Sequence, residues 1–175
     1  RQLYLDTVQK WHQTYDGLIV NVIEWVSKID VAVSNSLLSS KYGYVRPTIV
    51  EDSKSSVTFK GLRHPIIERI QEDVSYVPND ISLGKEGQFG VLLYGVNACG
   101  KSSLMRSIGC SVILAQSGCF VPASSMILSP YKHLFTRISN NDNLFKGQST
   151  FAVEMSELRS ILQRSNEHSL VLGDE

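Results

Sequence analysis

The chain has 175 residues, 42% of them hydrophobic and 19% charged, and its seventeen basic residues balance seventeen acidic ones. That length and apolar content suffice for a buried core, and the even charge excludes a broad electrostatic footprint for nucleic acid within these residues. No apolar run is long enough to span a bilayer and no signal-peptide pattern opens the chain, so an intracellular, soluble protein without a membrane partner is expected. The three cysteines, Cys99, Cys110 and Cys119, show no C-x-x-C spacing and read as free thiols of a reducing compartment. The histidines, His12, His64, His133 and His168, are too scattered for a metal site, and His64 before Pro65 suits hydrogen bonding in a turn.

Residues 2–40 read as helix. Tyr4, Val8, Trp11, Tyr15, Leu18, Val22, Trp25 and Ile29 recur at alternating steps of four and three, a heptad seam with polar residues between. Gly17 interrupts it at a cost of about 1 kcal/mol against Ala, and Ser34 to Ser40 reads as a further short helix. Gly43-Tyr44-Val45-Arg46-Pro47 breaks the helix. Residues 44–85 alternate short β-like runs with turn signals and predict a small antiparallel β-subdomain. The apolar run Phe89-Gly90-Val91-Leu92-Leu93-Tyr94 predicts a buried strand, followed by a helix over 101–118. Strand-like runs near 126–138, a turn-rich loop at Asn140-Asn141-Asp142-Asn143, a helix over 150–165 and a strand over 169–173 complete an α/β layer.

Between the strand at 89–94 and the helix at 101 stands Gly95-Val96-Asn97-Ala98-Cys99-Gly100-Lys101-Ser102, which fits G-x-x-x-x-G-K-[ST], the phosphate-binding P-loop. Gly95 and Gly100 let the backbone turn close to a phosphate. The loop's N–H groups, including those leading into Ser102 and Ser103, then face the anion at the helix N-terminus. Lys101 is expected to reach the β- and γ-phosphates of ATP, and the Ser102 hydroxyl to ligate Mg²⁺. A chance glycine-rich turn is the alternative, at under about one chain in a hundred of this length from average composition. The run Leu170-Val171-Leu172-Gly173-Asp174-Glu175 reads as a buried strand delivering two carboxylates. Asp174 is the candidate Mg²⁺ partner. Glu175 is the candidate catalytic general base for water.

Around these motifs the sequence resembles the ATPase domain of the MutS family of DNA mismatch-repair proteins. The resemblance rests on Gly61-Leu62-Arg63-His64-Pro65-Ile66-Ile67-Glu68, Tyr76-Val77-Pro78-Asn79-Asp80-Ile81, Leu114-Ala115-Gln116-Ser117-Gly118-Cys119-Phe120-Val121-Pro122-Ala123, Leu134-Phe135-Thr136-Arg137-Ile138 and Lys146-Gly147-Gln148-Ser149-Thr150-Phe151-Ala152-Val153-Glu154-Met155. It covers about residues 40–175, and 1–40 more loosely. It implies a P-loop NTPase of ABC-like layered α/β fold, with a small antiparallel β-subdomain and a preceding long helix. Residues 1–42 would be the end of a helical lever or clamp segment, and 43–175 an ATPase domain cut after Asp174-Glu175. Both ends read as internal cuts of a longer protein.

The resemblance also implies roles. Tyr76 would stack on adenine, with an ordinary β-subdomain tyrosine as the alternative. Ser149 would act in trans on the nucleotide of a partner subunit, and it also suits the N-cap of the following helix. Leu62 stands as an addition to the family's common Gly-Arg-His-Pro, expected to shift a turn and to mark a divergent branch. The implied function is ATP binding and hydrolysis by a protein that binds mismatched double-stranded DNA through parts not present here. It would act as a homodimer or a heterodimer with a MutS homologue, and the 175-residue piece alone is expected to be inactive. Two alternatives stand beside it: a MutS-like recombination or DNA-structure protein without mismatch specificity, and a P-loop kinase. Glu175 directly after Asp174, and the lack of an Arg-rich lid, speak against the kinase.

Overall fold

The computed structural model describes residues 1–70, 75–85, 87–97, 99–137 and 150–174. The chain forms two compact units, Arg1–Lys41 and Tyr42–Glu175. The chain is mixed α/β, with one long N-terminal helix and two small sheets.

Helix α1 runs unbroken over Gln2–Tyr42 and buries no residue. The separate short helix expected at Ser34 to Ser40 is simply its last turns, and Gly17 is carried without a break. The cost of one glycine is small beside the hydrogen bonds on either side of it. The seam residues lie open: Trp11 is 61% exposed, Leu18 62% and Trp25 65%.

In the second unit, β1 (Thr48–Ile49), β2 (Ser56–Leu62), β3 (Asn79–Leu83) and β4 (Ser125–Ser129) form one sheet in the order β1-β4-β2-β3. β2 is antiparallel to both neighbours, and β1 is parallel to β4. The expected subdomain of residues 44–85 is therefore neither wholly antiparallel nor contiguous. Its central pair is completed by β4, which arrives only after helix α3 (Lys101–Gln116). The parallel β1–β4 pair follows from that, because parallel strands need an intervening crossover.

β2 alternates as a half-buried strand should: Val57 and Phe59 are fully buried, Thr58 half-buried and Lys60 exposed. The alternation slips at a bulge between Phe59 and Leu62. Gly61 sits there at φ +57°, and a side chain on it would collide with that of Ser124. The bulge turns Leu62 inward, where it is completely buried. The Asp80 carboxylate seals the turn, accepting from the Gly61 N–H at 2.8 Å and the Lys60 ammonium at 3.0 Å. Those two bonds hold the Asp80 carboxyl below its usual range.

The rest of the Gly61–Glu68 run is structural as well. Arg63 donates to the carbonyls of Tyr42 and Gly43, both at 3.1 Å, closing the end of α1. Glu68 pairs with Arg69 at 2.9 Å, and the Arg69 guanidinium lies 3.4 Å from the centre of the Tyr42 ring. Arg63 Nε is 3.2 Å from Glu68 but not aligned for a hydrogen bond. Buried His64 accepts from the N–H groups of Ile66 and Ile67 through Nδ1, both at 3.2 Å, and so opens the short helix α2 (Ile67–Ile70). Burial, then the nearby Arg106 charge, depress the His64 pKa against the opposing pull of Glu68. The imidazole thus stays neutral and free to accept.

Helix α3 is amphipathic, with Met105, Ile108, Val112 and Ala115 in the same core cluster as β2 and β4. The second sheet is a parallel pair, β5 (His133–Arg137) and β6 (Ser169–Gly173), in register from His133–Ser169 to Arg137–Gly173. Helix α4 (Thr150–Arg164) lies between them in sequence. α3 packs on β6 at Gly109, where an added Cβ would stand 2.8 Å from Leu172 Cδ1. At the far end of α3 the Gln116 side-chain amide copies a backbone pair: it donates to the Tyr131 carbonyl at 3.0 Å and accepts from its N–H at 2.9 Å. Burial pushes the Tyr131 phenol up to about 12.

Residues 89–94 depart from expectation. They form no strand, and Phe89 is 74%, Leu92 88% and Tyr94 90% exposed. A strand that is apolar on both faces needs neighbours on both edges and both faces. Among the described residues no strand pairs with this run. A layered P-loop sheet is thus not what the described strands make.

Candidate functional site

The loop between Gly95 and Lys101 enters α3 through Gly100, whose φ of +97° is one that side-chain-bearing residues rarely adopt. No side chain caps the start of α3. Lys101 curls back over the loop, its ammonium donating to the carbonyls of Gly95 at 2.8 Å and Val96 at 3.0 Å. Ser102 and Ser103 follow in the first turn, both half-buried. Cys99 is an exposed free thiol. Val96 and Asn97 are exposed, and Ala98 lies outside the described residues.

The close approach of α3 to β6 decides where the second motif falls. β6 ends at Gly173, and Asp174 follows directly. Lys101 and Asp174, far apart in sequence, line the same cavity of about 790 Å³, together with Leu92, Met105 and Leu172. The backbone at Asp174 is fixed by a residue that sequence reasoning gave no role. The Asp174 N–H donates to the Arg137 carbonyl at 2.7 Å, and Arg137 Nη1 donates to the Asp174 carbonyl at 3.2 Å. Arg137 is itself held by Glu154 of α4 at 2.9 Å. A lone arginine ending a predicted strand was the only available signal. Glu175 and Ser149 lie outside the described residues.

Tyr76 is half-buried, and its hydroxyl meets Ser107 Oγ of α3 at 3.1 Å. That places the tyrosine against the helix that begins at the loop. Among the described residues no cluster of three or more His, Cys, Asp or Glu side chains could hold a metal ion. Asp174 lines the cavity and Ser102 does not; a carboxylate and a hydroxyl are oxygen donors of the kind that Mg²⁺ takes. Among the described residues no helix is long and apolar enough to cross a membrane.

A family model described as MutS domain V matches residues 91–175. Over the whole chain the sequence is 38% identical to the mitochondrial DNA mismatch repair protein mutS homolog of Sarcophyton glaucum, across 18% of that protein. The chain belongs to the MutS family. It is also 40% identical over 93% of its length to the DNA mismatch repair protein MutS of Lactococcus lactis subsp. cremoris, and 41% identical over 86% to that of Symbiobacterium thermophilum. The MutS-family chain spans about a fifth of the length of these relatives, 17–19% for the two bacterial proteins. Its loop, its β6 end and the arginine that steadies that end all fall within the part matched as domain V.

Proposed function

We propose that this chain is the nucleotide-binding part of an ATP-hydrolysing DNA mismatch repair protein. The observation that carries the reading is the meeting of Lys101 and Asp174 at one cavity, at the start of α3 and the end of β6. A glycine-rich loop, a cation and a helix N-terminus suit the phosphates of ATP. Gly95, Val96, Asn97, Ala98, Cys99 and Gly100 supply that loop. Lys101 neutralises the β- and γ-phosphates, and Ser102 and Asp174 hold Mg²⁺, which when bound screens the phosphate charge. Glu175 takes the proton of the attacking water. In the whole protein this part belongs to a P-loop layered sheet, preceded by the lever helix of residues 1–42. Ser149 completes the site of a partner subunit, in a homodimer or with a second MutS homologue. Mismatched double-stranded DNA is bound through other parts of the protein, in keeping with its likeness to DNA mismatch repair proteins.

The test is equilibrium nucleotide binding beside single-turnover hydrolysis in the full-length protein. Lys101→Ala abolishes ATP binding, and wild-type affinity in that variant sinks the phosphate-loop assignment. Glu175→Gln keeps binding and slows hydrolysis by roughly 10²-fold or more, the scale of a lost general base. If binding falls with hydrolysis, Glu175 is structural or a metal ligand.

A further inference from the structure

The end of β6 is held more firmly than its own sheet requires. The Asp174 N–H donates to the Arg137 carbonyl at 2.7 Å, which continues the β5–β6 ladder by one rung. The second bond comes from a side chain: Arg137 Nη1 donates to the Asp174 carbonyl at 3.2 Å. Asp174 is thus gripped on both sides of its Cα, by the backbone and by the guanidinium of the same residue. What freedom remains is mainly that of its side chain, which leaves a fixed backbone at the cavity that Lys101 also lines.

The guanidinium is itself fixed. Its Nη2 pairs with Glu154 of α4 at 2.9 Å, and the arginine side chain is only 14% exposed. Its Nε is buried without a hydrogen bond, with Glu157 of α4 3.8 Å away. Such an arrangement is a poor source of stability, because withdrawing a charge from water can cost more than its pairing returns. A rigid planar fork suits a different task, that of holding acceptors at set angles. Here the acceptors are the Asp174 carbonyl and the Glu154 carboxylate. We infer that Arg137 is a positioning residue for Asp174: braced by α4, it holds the end of β6 so that the carboxylate is presented to a divalent cation bound with the nucleotide. The inference rests on the nucleotide reading above and adds to it how the metal-side carboxylate is kept in place, and on which helix that depends.

The experiment measures equilibrium ATP binding by the full-length protein twice, in excess Mg²⁺ and in EDTA. The ratio of the two affinities is the gain that the cation brings. Groups that hold a metal ligand from behind are worth about 10- to 100-fold in metal affinity or activity. In Arg137→Ala the gain is expected to shrink by about 10-fold or more, toward that of Asp174→Ala, while affinity in EDTA stays unchanged. Glu154→Ala is expected to move the gain the same way by less, and the double variant no further than Arg137→Ala. A wild-type gain in Arg137→Ala overturns the inference, and so do losses that add in the double variant. An equal loss in EDTA overturns it too, since that is general damage to β5 and β6. If Arg137→Ala fails to fold by circular dichroism, Glu154→Ala carries the test alone, its side chain being 44% exposed; an unchanged gain there overturns the inference. If the wild type binds no ATP in either buffer, the nucleotide reading fails and takes this inference with it. If the wild type binds ATP and Asp174→Ala keeps the full gain, the inference fails and ATP binding stands.

Discussion

Strand β2 and the run at 89–94 are both short and rich in apolar side chains, yet they end in opposite states. In β2, Val57, Phe59 and Leu62 are completely buried between β3, β4 and α3. In the other run Leu92 and Tyr94 stand 88% and 90% exposed, and the run borders the cavity it shares with Lys101 and Asp174. Hydrophobicity alone does not separate the two. β2 has partners on both edges, β3 delivered after α2 and β4 delivered after α3. The run at 89–94 has none among the described residues. Burial is a property of the neighbourhood that a segment is given, and only its demand for burial is written in its own residues.

The largest effect is expected when one residue of each segment is replaced in the 175-residue chain. Phe59→Ala is expected to cost about 3–5 kcal/mol, the scale for emptying a buried aromatic site. Leu92→Ser is expected to change stability by less than about 0.5 kcal/mol, as an exposed substitution does. Urea denaturation of both variants decides it, and a loss at Leu92 matching that at Phe59 would mean the run is buried after all.

A second, smaller effect asks how tightly the β2 neighbourhood is specified. Gly61→Ala places a methyl against Ser124 at a φ of +57°, and about 1–3 kcal/mol of destabilisation is expected from the strain. A neutral result by the same denaturation would show that the bulge relaxes freely.

The smallest effect is a slope. His64 has its pKa lowered from 6.5 by burial and by Arg106. The unfolded chain therefore takes up a proton at a higher pH than the folded one. Its contribution to stability is complete above the unfolded pKa and is lost as pH falls below it toward the folded value. The melting temperature should fall on acidification from about pH 7.5 to 5.5, and less steeply in His64→Asn, which keeps an acceptor for the turn but cannot titrate. Equal slopes in the two proteins would remove His64 from the pH response.

Much of the site could be read in advance because it is local. The loop, the start of α3 at Lys101 and the strand ending at Gly173 are each written within a few residues, as glycine spacing or an apolar run. The turn at His64 was legible too, since an imidazole before proline has few other uses. What escaped reading is what depends on distant partners. Nothing near Ser125 announces that β4 will leave the second sheet's neighbourhood and pair with β2. Nothing near Arg137 announces that it will grip the backbone of Asp174. Arg63 looked like one letter of a family motif, and it serves as the closure of a helix that ends some twenty residues earlier. Such contacts leave no periodicity, because their partners share neither a turn nor a strand with them.

The lysine of the loop has a consequence for how its loss should be interpreted. Two of its three ammonium protons already go to the Gly95 and Val96 carbonyls. It is therefore a clasp as well as a charge, and the clasp holds the loop in shape. Removing the side chain undoes the clasp and the charge together. A longer cation at the same position would keep the charge while reshaping the clasp, so the two losses need not travel together in every variant.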